Sequence, residues 1–239
     1  DVVDESELRR GEETANEVWG NSASVLVGDY LLSRAFQLMV SDGNLKVLKI
    51  LSDASAIIAQ GEVLQLTTAN ALETTTEQYL QVISGKTATL FAAACELGAV
   101  VTDRAEWEAP LREFGMNLGI AFQMMDDALD YSAKQEALGK SIGDDFRDGK
   151  ITLPIIHAFA QGDDEQKQFW QRTLGKQEQT ETDLAGALSL LQQHQAVEHT
   201  VTVARNYCDS ALEKIAPLPE SAEKQALLEI TNFCINRDY

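Results

Sequence analysis

The segment 104–134 constrains the chain more than any other. Leu111, Phe114, Leu118, Phe122, Met125 and Leu129 form an apolar stripe at helical spacing. Gly119-Ile120-Ala121-Phe122 is apolar on every side, so this part of the helix should be interior. Directly after it stands Asp126-Asp127-Ala128-Leu129-Asp130. Gln123, Asp126, Asp127 and Asp130 fall at i, i+3, i+4 and i+7 and share one face. Carboxylates that dense beside a buried run repel one another and lose hydration. Hard divalent cations such as Mg²⁺ relieve both, completing their coordination with waters and substrate phosphates. A solvated acidic face has the same spacing, so the pattern alone leaves both readings open.

The same periodicity, with cap and breaker residues, predicts helices at 16–40, 44–68, 74–99, 104–134, 151–161, 164–174, 180–193, 197–215 and 221–236. No run of alternating strand pattern, repeat or low-complexity segment interrupts them. An all-α fold follows. With 44% hydrophobic residues in 239, one sizeable core fits, in one or at most two domains, and we take residues 1–239 as a single domain. The longest apolar stretch, Ala23 to Val40, carries Asp29, Arg34 and Gln37. It reads as a buried helix, and no membrane span is expected.

The formal net charge of −19 disfavours nucleic acid and anionic lipid as partners. Cys95, Cys208 and Cys234 are scattered and odd in number, which fits a reduced, cytoplasmic protein with neither a disulfide framework nor a zinc site. The acidic first residues do not resemble a signal peptide. His157, His194 and His199 match no triad or metal pattern.

In so acidic a chain, clustered cations need a reason. Asp1 and Asp4, at i and i+3, are followed by Arg9-Arg10-Gly11. Guanidinium forks suit phosphate oxygens, although charge balance at a helix end would give the same pattern. Lys86-Thr87 sits among Ala and Leu; Lys140 follows Gly139, and Lys150 follows Gly149. Gly85-Lys86-Thr87 lacks the upstream spacing of a P-loop. Each lysine alone fits a surface position. Two acidic clusters and several isolated cations together describe a site for a metal-bound diphosphate.

Six stretches, DVVDESELRRG, GNSASVLVGDYLLSRAF, GEVLQL, GKTATLF, FQMMDDALDY and LGKSIGDDFRDGKITLP, closely resemble the trans-polyprenyl diphosphate synthase family, and in particular its long-chain members that make quinone side chains. They cover Asp1 to Pro154 in the family's order; the tail is less distinctive. The resemblance implies an isoprenoid synthase-type helical bundle around a central cavity, usually a homodimer. It implies Mg²⁺-dependent condensation of isopentenyl diphosphate with an allylic diphosphate. Asp1, Asp4 and Asp126 would bind Mg²⁺, with Asp127, Asp130 and Asp144 supporting them or acting through water. Arg9, Lys86 and Lys140 would hold the allylic diphosphate, and Lys150 would close over it. Arg10 would hold isopentenyl diphosphate. Thr87 and Gln123 would flank the reacting carbons and stabilise the cation, and Glu62 and Gln65 would face the same cavity. The leading Asp of the first motif and the helices before it are expected to precede Asp1, so that residues 1–239 alone would fold poorly or lack activity. Two rivals share features. A terpene cyclase would show a different second motif, and a non-catalytic subunit of a heteromeric synthase would have lost site residues that this chain keeps.

Overall fold

Sequence punctuation places the helix ends. In the computed structural model, which describes residues 2, 8–9, 12–132 and 142–236 (for 8 and 9 the backbone alone), Gly43 adopts φ 77° and closes the first helix. The Asn44 side chain then accepts the backbone N–H of Lys46 and Val47 to open the second. Thr75 with Gln78, and Asp163 with Gln166, form reciprocal capping boxes.

The helices are α1 (Ala15–Asp42, broken at Gly20), α2 (Leu45–Thr68), α3 (Thr76–Ile83), α4 (Thr89–Val100), α5 (Ala105–Leu129), α6 (Asp144–Arg147), α7 (Leu153–Gln161), α8 (Asp164–Trp170), α9 (Asp183–Gln193), α10 (Ala196–Ile215) and α11 (Ala222–Ile235). π-helical turns at Ser84–Ala88 and Gln171–Gly175 continue α3 into α4 and extend α8. Leu8–Arg9 and Glu12–Glu13 pair as a two-residue antiparallel ladder. The protein is all-α apart from that ladder, as the periodicity predicts.

α5 is the axis. It packs against α4 and α10 along its length, and Phe114, Leu118, Ala121 and Met124 are buried together with Tyr79, Ile83, Cys208, Ala211 and Ile215. A second cluster gathers Phe146, Ile155, Trp170, Leu174 and Leu191, and Ile156 packs against both. The interior position predicted for 119–122 holds: Ala121 is fully buried and Ile120 is 6% exposed.

One expectation is overturned. The apolar stretch Ala23 to Val40 is not a buried helix among the described residues. Leu26, Leu31, Leu38 and Val40 in α1 are each more than half exposed, and only Asn16 and Met39 are buried there. Apolar composition tells that a surface wants covering, not what covers it. No helix of the described residues is long and apolar enough to cross a membrane.

Candidate active site

The site is assembled where a π-turn is pressed between two helices. An alanine Cβ at Gly61 of α2 would lie 2.4 Å from the backbone N of Lys86, and one at Gly119 of α5 would lie 2.5 Å from Cα of Ala88. Glycine at these two positions lets α2 and α5 close on Ser84–Ala88 from both sides. The wider π-turn inserts a residue into the helical register, a device frequent at functional sites.

Lys86 and Thr87 project from that turn. Lys86 Nζ donates to Gln65 Oε1 at 2.6 Å and lies 3.8 Å from Glu62 Oε2, so Glu62 and Gln65 of α2 do face the predicted lysine. Thr87 Oγ1 donates to Gln123 Oε1 at 2.8 Å. Gln123 Nε2 donates to Asp127 Oδ1 at 2.8 Å, and the buried Tyr79 hydroxyl donates to Asp127 Oδ2 at 2.6 Å.

The three aspartates of the α5 motif have different surroundings. Asp126 is exposed. Asp127 is 5% exposed and has both oxygens engaged by Gln123 and Tyr79. Asp130 Oδ1 and Oδ2 accept the backbone N–H of Asp144 and Asp145 at 3.2 and 3.1 Å, which ties the end of α5 to the start of α6. Asp144 itself pairs with Arg147 at 2.8 Å. Lys150 Nζ lies 2.9 Å from Asp148 Oδ2 and 3.6 Å from Asp145 Oδ1. Asp145 in turn feels the positive charges of Lys150 and Lys86 and the negative charge of Asp126.

Tyr79 and Asp145 were not among the predicted site residues. Tyr79 lies seven residues before Lys86, on the same helical face, but a tyrosine on an amphipathic helix reads as core. Asp145 directly follows Asp144, and the pair carried a signal that could have included it. Asp1, Asp4, Arg10 and Lys140 lie outside the described residues, and the Arg9 side chain likewise.

Burial raises the pKa values of three carboxylates. Asp127 is pushed up to about 7 by desolvation and then by the charge of Asp145, against the pull of its hydrogen bonds from Tyr79 and Gln123. Asp130 rises to about 8 for the same first two reasons. Asp145 rises to about 6, chiefly by burial, with Lys150 opposing. Each folded value exceeds its ordinary value of 3.8, so the folded state binds more protons than the unfolded one between about pH 4 and pH 8. These groups therefore stabilise the metal-free protein most at low pH, and their contribution is lost as pH rises through that window. In EDTA, the melting temperature of wild type should fall from pH 5 to pH 8 more steeply than that of Asp127→Asn. Equal slopes would remove Asp127 from this account.

Such a set of hard oxygen donors fits Mg²⁺. Among the described residues no group of three or more His, Cys, Asp or Glu side chains forms a metal site by itself, and an Mg²⁺ ion usually keeps waters and substrate phosphates as ligands.

Residues 1–191 match the family described as polyprenyl synthetase. The chain is 42% identical over 243 residues to octaprenyl diphosphate synthase of Haemophilus influenzae, covering 100% of this chain and 73% of that protein. A decaprenyl diphosphate synthase from Rhodobacter capsulatus superposes with a TM-score of 0.94 at 47% identity, covering 100% of this chain and 74% of that one. A polyprenyl synthase from Caulobacter crescentus, solved complexed with calcium and isoprenyl diphosphate, superposes with a TM-score of 0.95 at 46% identity, covering 100% and 73%.

Proposed function

This chain belongs to the polyprenyl synthetase family, and on that premise we propose how its residues carry out the family's reaction. The protein is a prenyltransferase, a trans-polyprenyl diphosphate synthase of the long-chain class, condensing isopentenyl diphosphate with an allylic diphosphate. The observation that supports this reading best is one turn that carries both Lys86 and Thr87, with Thr87 bonded to Gln123 and Gln123 to Asp127.

Lys86 binds the allylic diphosphate with Arg9 and Lys140, and Lys150 covers it from the α6 side. Arg10 holds isopentenyl diphosphate. Asp126, with Asp1 and Asp4, would hold Mg²⁺, while Asp127 and Asp130 act through Gln123 and through the α6 backbone. Mg²⁺, when bound, supplies positive charge opposite the departing diphosphate. The calcium and isoprenyl diphosphate of the Caulobacter relative support a divalent cation beside a prenyl diphosphate. Once the allylic C–O bond ionises, Thr87 and Gln123 face the cation with oxygen lone pairs. The isopentenyl double bond attacks, and the released diphosphate takes the proton that restores the alkene.

We further propose a single domain working as a homodimer in the cytoplasm, with a quinone side chain as the product's use. The exposed apolar side chains of α1 support an assembly, and three scattered cysteines with no CxxC pair support a reducing compartment.

Separate Michaelis constants test the substrate assignment. Lys86→Ala should raise KM for the allylic diphosphate about 10–100-fold, because one charge-assisted contact contributes about 1.5–3 kcal/mol. Arg10→Ala should do so mainly for isopentenyl diphosphate. An Arg10 variant impaired only toward the allylic substrate would refute the division.

A further inference from the structure

Tyr79 stands behind the site rather than in it. It lies in α3, is 3% exposed, and its ring belongs to the central core around α5. We propose that Tyr79 is a positioning residue: through Asp127 and Gln123 it sets the direction of a hydrogen-bond chain that ends at Thr87, and so sets the polarity shown to the allylic cation. The proposal rests on the reading that Thr87 and Gln123 flank the reacting carbons.

The chain has only one consistent direction. A phenol meeting a carboxylate must donate, and Tyr79 does so to Asp127 Oδ2 at 2.6 Å. The remaining oxygen, Oδ1, accepts at 2.8 Å, which fixes the NH₂ end of the Gln123 amide toward Asp127. Its carbonyl end is then turned to Thr87, and the Thr87 hydroxyl must spend its proton on it, at 2.8 Å. Thr87 is left with lone pairs alone for the cavity. The relay therefore holds negative ends of dipoles where positive charge develops, before the reaction begins.

Without the phenol hydroxyl, Asp127 keeps a buried oxygen without a donor. It can rotate, and the Gln123 amide is then free to turn over. A turned amide offers N–H to Thr87, whose hydroxyl proton is released toward the cation. The diphosphate contacts of Lys86 are untouched by that change.

Tyr79→Phe removes one oxygen and keeps the packed ring. In the full gene product, we expect kcat to fall about 10–100-fold, the size usual for loss of a partner that orients an active-site group, with KM for the allylic diphosphate unchanged within about twofold. The decisive comparison is the double variant. In a Gln123→Ala background the relay is already cut, so Tyr79→Phe should cost little further. Independent, multiplying effects would mean that Tyr79 acts through packing and would overturn the proposal. So would an unchanged kcat, or a loss confined to KM. If Gln123→Ala alone leaves kcat intact, the reading of Thr87 and Gln123 fails and the proposal with it. If Gln123→Ala is impaired and Tyr79→Phe is not, the proposal alone fails.

Discussion

Asp126→Ala is expected to lower prenyl transfer by at least about a hundredfold while leaving helix content and melting temperature unchanged. The bound comes from outer partners of metal ligands, whose loss alone costs about 10–100-fold. Asp126 is the exposed member of its motif; Asp127 is engaged by Gln123 and Tyr79, and Asp130 by the α6 backbone. Truncating an exposed carboxylate changes stability by about 0.5 kcal/mol or less. It also relieves repulsion, since Asp126 raises the pKa values of both Asp127 and Asp145. Asp127→Ala should differ in kind. It leaves the buried Tyr79 hydroxyl and the Gln123 amide without their acceptor, at about 1–3 kcal/mol each, so stability and activity fall together. Circular dichroism melts beside steady-state rates check the contrast. An Asp126 variant with near-normal, Mg²⁺-dependent turnover would remove that residue from the metal site.

Gly61→Ala should be equally damaging from outside the chemistry. The new methyl would stand 2.4 Å from the Lys86 backbone N and 2.8 Å from the Gly85 carbonyl carbon. Both obstacles are backbone, so α2 and the π-turn must part by about 1 Å. Overpacking of this sort costs about 1–3 kcal/mol. A shift of about 1 Å in Lys86 and Thr87 is enough to lower the rate about a hundredfold. Gly98→Ala is the control. Nothing lies within 4 Å of a Cβ there, and it sits in α4, so stability should rise by about 0.5–1 kcal/mol. Activity lost equally in both variants would show that the close approach at Gly61 does not position the site.

Much of this fold was legible because its helices are long and periodic. α2, α7, α10 and α11 fall within about two residues of where spacing and caps place them, while α5 starts as expected and ends at Leu129, short of the expected 134, of which 133–134 lie outside the described residues. α6, four residues between Gly143 and Asp148, is too short to show a period. The π-turn at Ser84–Ala88 breaks the period it sits in, and a continuous helix over 74–99 is what spacing alone gives. The site was legible at the level of faces. Spacing put Gln123, Asp126, Asp127 and Asp130 on one side of α5, but it could not show that Tyr79, from another helix, engages Asp127. Nor could it show that backbone N–H groups of Asp144 and Asp145 hold Asp130, because those contacts cross the chain. α1 failed for the converse reason: its apolar residues predict burial, and among the described residues little covers them.

Prenyl transfer itself is tested most directly by product analysis of the full gene product that carries this chain. It is incubated with farnesyl diphosphate, isopentenyl diphosphate and either MgCl₂ or EDTA. All-trans polyprenyl diphosphates several isoprene units longer than the primer are expected, formed with Mg²⁺ and absent with EDTA. Cyclised hydrocarbon with isopentenyl diphosphate left unconsumed, or elongation that persists in EDTA, would contradict the proposed function.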